Sequence, residues 1–117
     1  MALECIASQQ EVVAMTTQYL TGELSVRLAR LQAEDRDQLG VPAVRLRHQS
    51  ETLPPDELAP VVIRALALVD RMCWKSLTRG DTDAFLRQAE IGVDLAEFGE
   101  CAGLLARDER QQQEARQ

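Results

Sequence analysis

Two strongly apolar stretches with helical periodicity, PVVIRALALVDRMCWKSL and AFLRQAEIGVDLAEFGECAGLL, meet at the short break TRGDTD in the second half of the chain. Apolar runs of this length joined by so few residues predict an antiparallel αα-hairpin over Pro60–Leu105. From Val61 to Val69 only Arg64 is polar. At 100° per residue, Arg71, Lys75 and Thr78 fall close to Arg64, which leaves one narrow basic edge with Cys73 opposite it. Pro60 fits poorly inside a helix, so this element is expected to begin at Ala59 or Pro60 after a separate turn. Gly80 suits the left-handed position past a helix end, and Asp81 suits the N-cap of the helix that follows.

That second helix is expected to run to about Arg107 with three unlike faces. Phe85, Ala89, Gly92, Ala96, Gly99 and Gly103 form a row of mostly small residues. Ile91, Leu95, Phe98, Ala102 and Leu105 form an apolar flank, and Arg87, Glu90, Asp94, Glu97 and Cys101 a polar back. An interior glycine costs about 0.8–1 kcal/mol relative to alanine, so close approach of another helix is the expected compensation for Gly92, Gly99 and Gly103. The groove Ala89–Gly92–Ala96–Gly99–Gly103 therefore reads as a seat for a helix of the same chain or of a second copy. In an antiparallel hairpin, Arg71 should lie level with Glu90 and Arg64 with Glu97.

Upstream, Ile6, Val13, Leu20, Leu24, Leu28 and Leu31 recur at helical spacing. The leucines after Gly22 stay in phase with the apolar residues before it, which predicts one long helix from Leu3 to about Gln38 rather than a turn at Thr21-Gly22. Gly40-Val41-Pro42 ends it, and Ala43 to about Glu51 reads as a short second helix stopped by Leu53-Pro54-Pro55. The tail DERQQQEARQ has almost nothing to bury and is expected to fray. The reading is all-α: a small helical bundle with a long N-terminal helix, a short second helix and a C-terminal αα-hairpin, in one domain over 1–107 with a frayed 108–117.

Composition narrows the function. Of 117 residues, 45% are hydrophobic and 3% aromatic, as in an ordinary helical globular chain, and no apolar run is long enough for a membrane span. A net charge of −6 argues against neutralising a nucleic-acid backbone. The FLRQAEIGVDLAEF segment carries Asp94 and Glu97 where a recognition helix would face phosphate, so neither nucleic acid nor membrane is expected as a partner. Cys5, Cys73 and Cys101 are odd in number, widely spaced and without a CxxC, and no secretory leader is visible, so a reduced cytoplasmic chain is expected.

No residues assemble into a nameable catalytic centre. His48 is the sole histidine and has no recognisable ligand spacing around it, so neither metal nor cofactor is expected. Cys101 lies on the polar face beside Glu97 and Glu100 without a basic neighbour to activate it. Arg79-Gly80-Asp81 is accounted for by capping. Trp74 and Tyr19 read as core residues. The acidic row Glu90, Asp94, Glu97, with Cys101, reads as a solvated face or as a docking face for a basic partner. The function expected is a non-catalytic protein-interaction module, an adaptor or regulator acting as a homodimer. The alternative is a bundle binding a small molecule or peptide in a chaperone-like groove lined by Met15, Met72, Cys73 and Trp74. An enzyme subunit completed by another chain stands third.

Overall fold

The computed structural model describes residues 9–31, 35, 37–39 and 52–116. These residues form α1 (Gln9–Leu28), a 3₁₀ turn (Asp37–Leu39), α2 (Pro55–Thr78), α3 (Thr82–Cys101) and α4 (Leu104–Ala115), with no strand among them. The expected second helix over Ala43–Glu51 lies outside the described residues.

The α2–α3 hairpin is the centre of the molecule. Its turn is set by Gly80 at φ +73° and by Asp81, whose carboxylate accepts from the Ala84 N–H at 3.1 Å. The two helices meet through small residues. A Cβ added at Gly92 would sit 3.2 Å from Val69 Cγ1, and one at Gly99 only 2.9 Å from Val62 Cγ1. The glycines thus let two backbones approach until valine methyls fill the space, which offsets their poor helix propensity. Further along, the buried Ser76 hydroxyl lies 2.7 Å from the Gln88 amide. That amide is satisfied with its nitrogen turned toward Ser76 Oγ and the Met72 carbonyl, 3.0 Å away.

α1 packs across the hairpin through Leu20, Leu24 and Leu28, with Leu31 just beyond its end, and all four are buried. The helix runs unbroken through Gly22, whose surroundings are open. It does not reach Gln38 as expected: it ends at Leu28, where Arg30 and Leu31 close tight backbone turns onto Arg27 and Leu28. The chain's return is tied to α1 at Thr21, whose hydroxyl accepts from the Leu53 N–H at 3.2 Å and donates to the Thr17 carbonyl at 2.8 Å.

Three boundaries differ from the sequence expectation, and each has a local cause. α2 begins at Pro55, not at Ala59 or Pro60, because Pro54 is extended and Pro55 has the φ and the missing donor that suit a first turn. Pro60 lies inside the helix and leaves the Asp56 carbonyl without its usual partner, and Gln111 Nε2 of α4 reaches that carbonyl at 3.5 Å. α3 stops at Cys101 rather than near Arg107, since Gly103 takes φ +73° and turns the chain. The tail expected to fray from Asp108 is instead part of α4, anchored by Leu104 in the core and by Arg107, which donates to Asp56 Oδ1 at 2.6 Å.

Candidate functional site

Asp94 and Glu90 on the polar back of α3 are met by α1 of the same chain. Arg27 is half-buried between them and the core: Nη1 donates to Glu23 Oε1 at 2.9 Å, Nε lies 3.4 Å from Asp94 Oδ2, and the guanidinium stacks 4.7 Å above the Phe98 ring. The hydrogen bond to Glu23, and then the charge of Asp94, raise its already high pKa against the opposing cost of burial. Arg27 Nε is buried without a well-aligned acceptor, so Asp94 attracts it by charge rather than through a directed bond. Arg30 adds contacts of 3.6 Å to Glu90 and 3.7 Å to Asp94. Glu97 and Cys101 stay exposed, lining a shallow depression of about 350 Å³ with Tyr19, Glu23 and Phe98. The cross-hairpin pairs Arg71–Glu90 and Arg64–Glu97 do not form. Val62 opposite Gly99 and Val69 opposite Gly92 place each pair level along the hairpin, but on its two outer edges. Arg64 turns instead to the Leu39 carbonyl, 3.3 Å from Nη1.

Within the small-residue row, Gly92 and Gly99 face α2, Ala89 and Ala96 are half-buried, and Gly103 lies outside the groove as the link to α4. Met72, Cys73 and Trp74 do not share a groove. Met72 lines a cleft facing α1, Cys73 is half-buried with its thiol pKa raised by desolvation and then by Asp70, and Trp74 points to solvent. The Met15 side chain, Cys5 and His48 lie outside what the structure describes. No group of three or more His, Cys, Asp or Glu among the described residues could hold a metal ion.

Two features escaped the sequence reading. The first is a largely apolar outer face on the hairpin, interrupted by the exposed Asp70: Trp74 is 65% exposed, Leu77 51%, Leu86 58% and Val93 59%. Measured from the Val62–Gly99 contact line at 100° per residue, all four are displaced to the side opposite that holding Leu68, Leu95 and Phe98. Since α1 packs on those core residues, the face lies away from α1. Tyr19 is likewise exposed, not core. The signal available was that α2 is apolar nearly all round, more than its neighbours cover.

The second feature is a cleft of about 450 Å³ between the end of α1 and the turn end of the hairpin, bordered by Arg30, Lys75, Arg79 and Arg87 over a floor including Met72 and Ile91. The basic edge had been visible at Lys75, but Arg87 belongs to a different helix, and only the hairpin brings the two together. Among the described residues no helix is long and apolar enough to cross a membrane. No protein-family model, curated protein or solved structure gives a significant match to this chain.

Proposed function

We propose that the chain is a non-catalytic protein-interaction module, an adaptor or regulator, that works as a homodimer through the outer face of the α2–α3 hairpin. The observation carrying this reading is the exposed set Trp74, Leu77, Leu86 and Val93, gathered on one face of the α2–α3 hairpin. A second copy is the occupant favoured because the edges of that face are complementary in charge. Arg71 lies on the α2 edge and Glu90 level with it on the α3 edge, where Arg30 of the same chain reaches Glu90 at 3.6 Å and leaves it 74% exposed.

Consider two copies face to face about a two-fold axis parallel to the helices. Each α2 then lies over the partner's α3 at an unchanged level, so Trp74 covers Leu86 and Arg71 comes beside Glu90 across the interface. A two-fold axis perpendicular to the helices would bring α2 edge against α2 edge, basic against basic. Ion pairs at such a rim contribute little to affinity but select orientation. An isologous contact of this kind also closes after two copies.

Multi-angle light scattering tests the reading on wild type and on charge-reversed variants. Wild type is expected to be a dimer at micromolar concentration. Arg71→Glu and Glu90→Arg should each shift it toward monomer, by about tenfold in dissociation constant, with recovery in the double variant. A monomeric wild type, or a double variant no better than the singles, would overturn the proposed geometry.

A further inference from the structure

We infer that the cleft bordered by Arg30, Lys75, Arg79 and Arg87 is a binding site for a small organic polyanion, one carrying two or more negative charges on a planar or apolar body. Four cations converge on one cleft while the chain as a whole carries −6, and the only carboxylate among the described lining residues is Asp35. Arg30 shares its charge with Glu90 and Asp94. For Lys75, Arg79 and Arg87 the structure records no carboxylate partner among the described residues; the guanidinium of Arg79 reaches only the Ser76 hydroxyl, at 3.5 Å. Like charges held together raise the energy of the unoccupied cleft, and a bound anion relieves that repulsion.

Shape and lining set the rest of the ligand. The floor contributes Leu31, Met72 and Ile91, so part of the molecule is apolar or planar, while the charged side chains stand at the border. A volume of about 450 Å³ falls within the range of small-molecule sites. The walls come from three elements whose relative positions are fixed beneath the cleft, by Arg27 between α1 and α3 and by the Ser76–Gln88 contact between α2 and α3. The backbones that carry the donors therefore hold fixed relative positions before a ligand arrives. This inference does not rest on the homodimer reading, because the cleft opens on the α1 side of the hairpin and, although Arg30 touches Glu90 of the rim, Lys75, Arg79 and Arg87 belong to no rim pair.

The test uses the fluorescent planar trisulfonate pyranine as probe, measured by anisotropy against the full chain. Saturable binding that weakens steadily with added salt is expected. Lys75→Ala/Arg87→Ala should weaken it by about tenfold or more, since each removes a charged donor. Both positions are exposed, so circular dichroism and the melting point should remain those of wild type. Arg110→Ala, an exposed cation on α4, should bind as wild type does. Displacement by ATP in preference to citrate would assign the natural charges to phosphates, and the reverse to carboxylates. No saturable binding, salt-insensitive binding, an unaffected double variant, an equal loss in Arg110→Ala, or displacement by neither competitor would overturn the inference. So would binding of a polyglutamate peptide without binding of pyranine.

Discussion

Gly99→Leu is expected to lower the unfolding free energy by about 3 kcal/mol, equivalent to a fall in melting temperature of roughly 10 °C for a chain of this size. Even a methyl group at this position would stand 2.9 Å from Val62 Cγ1 and 3.1 Å from Leu105 Cδ2, so a leucine has nowhere to go without separating α2 from α3. Val62 is fully buried and cannot swing aside. The strain would act on three elements together, because Leu105 brings α4 to the same point. Gly22→Ala is the matched control: nothing lies within 4 Å of its added methyl, and the helix-propensity gain of about 0.8–1 kcal/mol should raise the melting temperature. Thermal unfolding followed by circular dichroism reads both. A Gly99→Leu melting temperature indistinguishable from wild type would mean that the two helices are not in contact there.

The other large effect is expected at Leu24. This side chain is fully buried between α1 and the hairpin, and Leu24→Asp places an unpaired carboxylate there, at a cost of several kcal/mol. α1 has fewer attachments than the hairpin has internally: four leucines, the Arg27 and Arg30 contacts, and Thr21 on Leu53. The cost should therefore undock α1 before it unfolds the hairpin. Hydrogen exchange should show α1 amides losing protection by about a hundredfold or more, while amides of α2 and α3 keep most of theirs. Arg30 and Leu31 would leave with α1, so pyranine binding should weaken in the same variant. Uniform loss of protection across all helices would instead show that α1 and the hairpin fold as one unit.

The parts of this fold legible in the sequence are those where one local pattern settles the outcome. The hairpin follows from two apolar periodicities and two capping residues, Gly80 and Asp81. Continuity of α1 through Gly22 follows from the phase of the leucines. The features that were not legible depend on contacts between distant residues. Gly103 ends a regular row of small residues and looks like its neighbours in the groove, yet it takes a left-handed conformation so that Leu104 and Leu105 can turn back onto the core. The helix at α4 is stabilised by Arg107 and Gln111 on Asp56, at separations of 51 and 55 residues. The polar back of α3 read as a free face because nothing in its own spacing reveals Arg27 and Arg30. Trp74 read as buried because composition gives the apolar circumference of α2 but not how many neighbours cover it.

The same distance dependence bears on the candidate sites. Lys75 and Arg87 are unremarkable on their own helices and become a cleft only when the hairpin closes and α1 adds Arg30. Arg71 and Glu90 were expected to meet within one chain from their common level. They have the common level but opposite edges, and that difference turns an expected internal ion pair into a pair of rims that a second copy would match.

Pro60 has a consequence for the order in which the chain assembles. By leaving the Asp56 carbonyl without its helical donor, it opens that carbonyl to Gln111 of α4, while Arg107 takes the Asp56 carboxylate. Closing that contact encloses more than fifty residues, a loop whose entropy is recovered only once α2 and α3 already lie side by side. From this separation α4 is expected to dock on α2 after the hairpin has formed. In pulse-labelling during refolding, its amides would gain protection behind those of α3.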